Sequence, residues 1–173
     1  MTRLNMSEVA ARLDPSGVAI SIADAMRPDM PLCYVNPMFE TITGYTAEDV
    51  LGQNCRFLQG DLENVEARAK MRDALSRGNP GQIVFRNRRA DGTIFNNLVV
   101  IEPLHDRDGD LLYVVGSQFV LTKQTEVSTT SEAGDQLVHE IGKLLTLNER
   151  LRATSRQALA RSMAATVKLW LDA

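Results

Sequence analysis

The chain has 173 residues, 44% of them apolar and 24% charged, with a formal net charge of -3. That size supports one core domain with an appendage, and the near balance of charge argues against nucleic acid or an anionic membrane as the main partner. Two cysteines, Cys33 and Cys55, lack the close thiol and histidine pairing of zinc sites, so neither a structural disulfide nor a metal centre is expected.

Residues 1–16 read as an N-terminal helical cap, with Leu4, Val9 and Leu13 as its apolar contacts and Asp14-Pro15-Ser16-Gly17 as its end. The opening stretch lacks the continuous apolar run of a signal peptide. Nowhere does an apolar run reach the roughly 18 residues of a membrane span, so a cytoplasmic protein is expected. A compact domain over residues 17–121 begins with two β-rich segments, VAISIA at 18–23 and LCYV at 32–35, separated by the turn-prone MRPDMP. Asn36-Pro37 supplies an N-cap and a first-turn proline for a short helix that Gly44 ends. Thr46 and Asp49 form the two ends of a capping box. Asp61 is the expected N-cap of the longest helix, whose broad apolar side carries Leu62, Val65, Ala69, Met71, Ala74 and Leu75 before Gly78. Three strands follow, about 82–90, 93–103 and 111–121, joined at Asp91-Gly92 and Asp108-Gly109, both hairpin signals. The fold class is α+β, with a five-stranded antiparallel sheet and short helices.

Alternate residues of a strand share a face. Ile83, Phe85 and Asn87 then lie together on the first strand of the meander. Phe95, Asn97, Val99 and Ile101 do so on the second, and Val114, Gly116, Gln118 and Val120 on the third. Each set is apolar and holds one amide. A buried amide without a partner costs roughly 1–3 kcal/mol, so three on one apolar face point to a polar-edged ligand rather than to three separate backbone bonds. The opposite face, with Val84, Leu98, Val100, Tyr113, Val115 and Phe119, is also apolar and needs a cover: the flanking helices or a second subunit.

A polar linker over 122–131 leads to a helical extension over 132–173. There Leu137, Ile141, Leu144, Leu145 and Leu151 recur at helical spacing, as do Leu159, Met163, Val167 and Trp170.

One stretch carries chemistry: GQNCRFLQG, Gly52 to Gly60. A free cysteine is more often a small buried hydrophobe than a reactive group, but Asn54, Arg56 and Gln59 around Cys55 suit a polar, planar or anionic ligand. Neither His105 nor His139 is near in sequence, which disfavours a ground-state cysteine enzyme.

GQNCRFLQ resembles the signature of LOV domains, the flavin-binding, blue-light-sensing branch of the PAS fold, and the resemblance extends over roughly residues 17–121. It implies a flavin, FMN in the first place, with FAD or riboflavin as the other choices. Cys55 would bond reversibly to C4a of the isoalloxazine ring after illumination. Asn54 and Gln59 would contact the ribityl chain or ring edge, and Arg56 with Arg72 would hold the phosphate, with Arg68 a rival for the second place. Asn87 and Asn97 match the amides on the pyrimidine edge, Gln118 the glutamine beside N5 and O4, and Leu58, Phe85, Val99 and Ile101 the apolar walls. Ala23 stands where many relatives carry threonine. The resemblance implies a signalling protein and not an enzyme. Output is expected through a light-dependent homodimer, formed by the sheet face and helical extensions, or through a separate effector protein. The competing readings are a light-regulated DNA binder using the tail, whose acidic and basic residues nearly balance, and a PAS-type flavin redox sensor.

Overall fold

The computed structural model describes residues 4–121 and 154–169. Helix α1, Met6–Leu13, is capped by Asn5, whose side chain accepts from Ser7 N. Strands β1 (Ala19–Asp24) and β2 (Leu32–Val35) follow, then two short helices, α2 (Pro37–Thr43) and α3 (Ala47–Val50). The expected caps form: Asn36 opens α2, Gly44 closes it at φ 76°, and Thr46 with Asp49 makes the capping box of α3. A 3₁₀ turn over Cys55–Gln59 leads to α4, Val65–Ser76. The meander is β3 (Gly81–Arg88), β4 (Ile94–His105) and β5 (Leu111–Leu121). All five strands form one antiparallel sheet in the order β2-β1-β5-β4-β3.

The start of α4 corrects the sequence expectation. Asp61 does not cap it; its carboxylate meets Arg88 Nη2 at 2.7 Å, and Asn64 takes the cap position without a side-chain bond to the helix. Asn64 turns instead to the edge strand β3, accepting from Arg86 N at 2.8 Å and donating to Arg86 O at 2.9 Å. This pairing occupies backbone groups that an edge strand would otherwise leave open.

The register puts the three amide-bearing faces on one side: Phe85 opposes Asn97, and Val99 opposes Gln118. On the other side, Ile20, Ile22, Tyr113 and Val115 pack with Val9 and Leu13 of α1. Residues 154–169 are helical, and those from Ala160 onward belong to the same compact unit as the sheet. Their Ala164 and Val167 join the cluster around Ile20, while Ala160 packs on Leu98 and Val100. Helices of the same chain therefore cover much of the apolar outer face, and the uncovered remainder lies toward its edge, with Val84 and Ile94 each 48% exposed. Beside this contact, Arg161 Nε stands 3.8 Å from Glu102 Oε1; burial raises the Glu102 pKa and Arg161 opposes that rise. The linker over 122–131 and the positions Leu137, Ile141, Leu144, Leu145, Leu151 and Trp170 lie outside the described residues.

Asn36 ties α1, β1 and α2 together. Its Oδ1 accepts from Ile20 N at 2.8 Å and Phe39 N at 3.1 Å, and its Nδ2 donates to Val18 O at 2.8 Å and Leu13 O at 3.2 Å. The residue is fully buried. Replacing it leaves buried backbone groups without partners, so Asn36→Ala is expected to lower unfolding free energy by about 3 kcal/mol in urea titration.

Candidate functional site

The inner face of the sheet, the 3₁₀ turn and α4 enclose a cavity of about 510 Å³, within the range of small-molecule sites. Phe85, Val99 and Ile101 form apolar wall, together with Val114. Asn87, Asn97 and Gln118 line the same space. All three are buried, and Asn87 Oδ1, both polar atoms of the Asn97 amide, and Gln118 Oε1 have no partner among the described residues. Gln118 Nε2 is held by Ser21, donating to its Oγ at 2.9 Å. That contact depends on Gly116, because a Cβ there would stand 2.9 Å from the same Ser21 Oγ.

The opposite wall comes from the 3₁₀ turn, which presents Cys55 to the cavity. Asn54 shapes the turn: its Oδ1 accepts from Arg56 N at 3.0 Å, and its Nδ2 donates to Asp29 O in the β1–β2 connection. Asn54 and Gln59 both line the cavity, yet each is partly committed to the protein, since Gln59 Oε1 accepts from Arg68 Nε at 2.6 Å. Arg56, Arg68 and Arg72 also line it. Leu58 is the one candidate that does not: it packs with Val35, Phe39 and Val50 behind the turn.

Sequence reasoning missed the contribution of β1 and the loop after it. Ser21, Ala25, Arg27, Asp29 and Met30 all line the cavity. Inward alternation along VAISIA offered a signal for Ser21, but nothing local indicates that the loop folds back over the cavity. Met71 and Leu75, on the apolar side of α4, line it as well.

The chemistry of this lining fits a flavin. Unpartnered amides at an apolar slot suit the alternating donors and acceptors of a ring edge, and arginines suit a phosphate. A PAS domain family profile matches residues 17–123. Among solved structures, the LOV protein of Rhodobacter sphaeroides is 40% identical, with a TM-score of 0.66 and 95% of each chain covered. The chain belongs to the LOV branch of the PAS family.

This LOV chain is also 40% identical over 134 residues to a blue-light photoreceptor of Listeria monocytogenes, covering 78% of this chain and 51% of that protein. It is 35% identical over 153 residues to the bacterioopsin transcriptional activator of Halobacterium salinarum, covering 85% of this chain and 23% of that one. LOV domains bind flavin. No helix among the described residues is long and apolar enough to cross a membrane, and no group of potential metal ligands occurs among them.

Burial pushes the Cys55 thiol up to about 12, so it is protonated throughout the neutral range. Cys33, whose thiol donates to Ile22 O at 3.4 Å, is pushed up to about 12 first by burial and then by Asp24. A thiol pKa raised by folding stabilises the folded state below the unfolded value of roughly 8.5, and that contribution is lost as pH rises toward 12. The urea midpoint is therefore expected to fall above about pH 9. The fall should be shallower in Cys33→Ala and Cys55→Ala, compared by slope.

Proposed function

We propose that this LOV chain is a blue-light photoreceptor that binds FMN and uses Cys55 as its photoreactive thiol. The observation that carries this reading is the placement of Cys55 and three incompletely partnered amides on walls of one cavity. Bound flavin supplies blue-light absorption and an electrophilic ring carbon in its excited state. Cys55, on the cavity wall, would be the thiol presented to that ring, with a proton it could give up and take back. No thiolate is required beforehand, which agrees with a thiol held protonated by burial. Asn87 and Asn97 fix the ring edge, Phe85, Val99 and Ile101 exclude water from its face, and Arg56 with Arg68 or Arg72 neutralises the phosphate.

Gln118 is the residue that senses the change. Its Oε1 has no partner among the described residues and could accept from a ring N–H, and its Nε2 is bonded to Ser21. Any rotation of the amide alters that bond to β1, whose outward Ile20 and Ile22 pack in the same cluster as α1 and Val167. Residues 17–121 are the sensor in this reading, and the helices before and after it carry the output to a second copy or to a separate effector. The name of the Halobacterium relative gives a transcriptional output as the second reading.

Blue light should bleach the flavin absorbance of the purified protein near roughly 450 nm, with return in the dark. Cys55→Ala should bind flavin and show no such bleaching; the same reversible bleaching in this variant would exclude the assigned thiol. Gln118→Leu should still bleach but lose the light-dependent change in hydrodynamic size expected of the unsubstituted protein. A size change that persists in Gln118→Leu would remove the glutamine from the signal route.

A further inference from the structure

The cavity mouth holds an acidic group among its arginines. Arg27, Asp29, Arg56, Arg68 and Arg72 all line the cavity, and Arg56 Nη1 is paired with Asp29 Oδ1. Asp29 occupies an unusual backbone position. Met30 N donates to Arg27 O at 3.1 Å, closing a turn with Pro28 second and Asp29 third, and Asp29 has a φ of 66°. A positive φ at the third position of such a turn favours Gly first and then Asn or Asp. Of these only Asp brings a carboxylate, and here it meets the guanidinium beside Cys55.

Asn54 holds the same loop by donating to the main-chain oxygen of Asp29, so the carboxylate is delivered to the mouth by a connection anchored independently of it. The two side chains are 56% and 63% exposed. Ion pairs so exposed are weak and open to exchange.

We propose that Asp29 is a built-in competitor for the phosphate end of the ligand, and that it sets how strongly a phosphorylated flavin is preferred over an unphosphorylated one. The inference rests on the flavin reading above. A carboxylate on Arg56 neutralises part of the positive charge that a phosphate would meet, and at this range it also repels the arriving dianion. Riboflavin carries no phosphate and is indifferent to both effects. Asp29 thereby narrows the preference that the arginines create.

Asp29→Asn tests this with little disturbance of the loop, because Asn tolerates positive φ and the Asn54 bond goes to the main chain. The full chain, stripped of flavin, would be titrated with FMN and with riboflavin by fluorescence quenching. Asp29→Asn should bind FMN roughly fivefold more tightly and riboflavin within about twofold of the unsubstituted protein, with the FMN gain shrinking as salt rises. In an Arg56→Gln background the same substitution should give a smaller gain, as expected for two groups acting on one another. Equal shifts for both flavins would assign Asp29 to loop stability alone and overturn the proposal, as would unchanged or weakened FMN binding. Failure of the unsubstituted protein to bind either flavin would overturn the flavin reading, and this inference with it; binding of both with an unchanged ratio in Asp29→Asn would overturn this inference alone.

Discussion

The constraint on which the site depends is the cost of burying amides that the protein does not itself satisfy. Asn87 and Asn97 are buried on two adjacent strands, and Gln118 on a third, with polar atoms that meet no partner among the described residues. Such groups favour whichever ligand brings complementary donors and acceptors, and they disfavour a purely apolar one. Around them the lining is aliphatic and aromatic, so the same cavity that makes an amide without a partner costly makes a bonded one strong. This combination, rather than any single residue, suits a flat, polar-edged ring.

Cys55 fits the same logic. A thiol intended for ground-state nucleophilic chemistry would be expected near cations that favour its thiolate, whereas burial here holds it protonated. In the proposed role its reactivity would come from the ligand, and the protein's part would be to hold the sulfur beside the ring. The 3₁₀ turn does this because Asn54 caps it at one end and Gln59 is bonded to Arg68 at the other.

The sheet connects that pocket to the helices because its two faces serve different partners. One face lines the cavity with Gln118, while the other is packed by α1 and the helical residues from Ala160 onward. The Gln118 side chain adds a bond to Ser21 on the pocket side of the paired β5 and β1, and Asn36 links β1 to α1 and α2. A change at the pocket thus has a short route to the helical face through groups that are already bonded.

Local chemistry in the sequence determined the hairpin glycines, the Asn36 and Thr46 caps, the five strands and the alternation that set three amides on one face. These features depend on residues a few positions apart, where propensity and periodicity act directly. The Cys55 stretch was legible for the same reason, as a compact run of side chains on one turn. Asp61 was misread as a cap because its meeting with Arg88, and that of Asn64 with Arg86, spans a long separation in sequence. Leu58 packs behind the turn and not along the cavity, because a 3₁₀ turn sends neighbouring side chains in directions that composition does not reveal. Ser21 and the Asp29 loop were missed because strand order, not sequence order, brings β1 beside β5 and folds the loop over the cavity. The sequence by itself determined which polar groups and which thiol the site has to offer. Tertiary structure alone decided which of them remain unpaired, since a partner's absence is fixed only when every distant segment has taken its place.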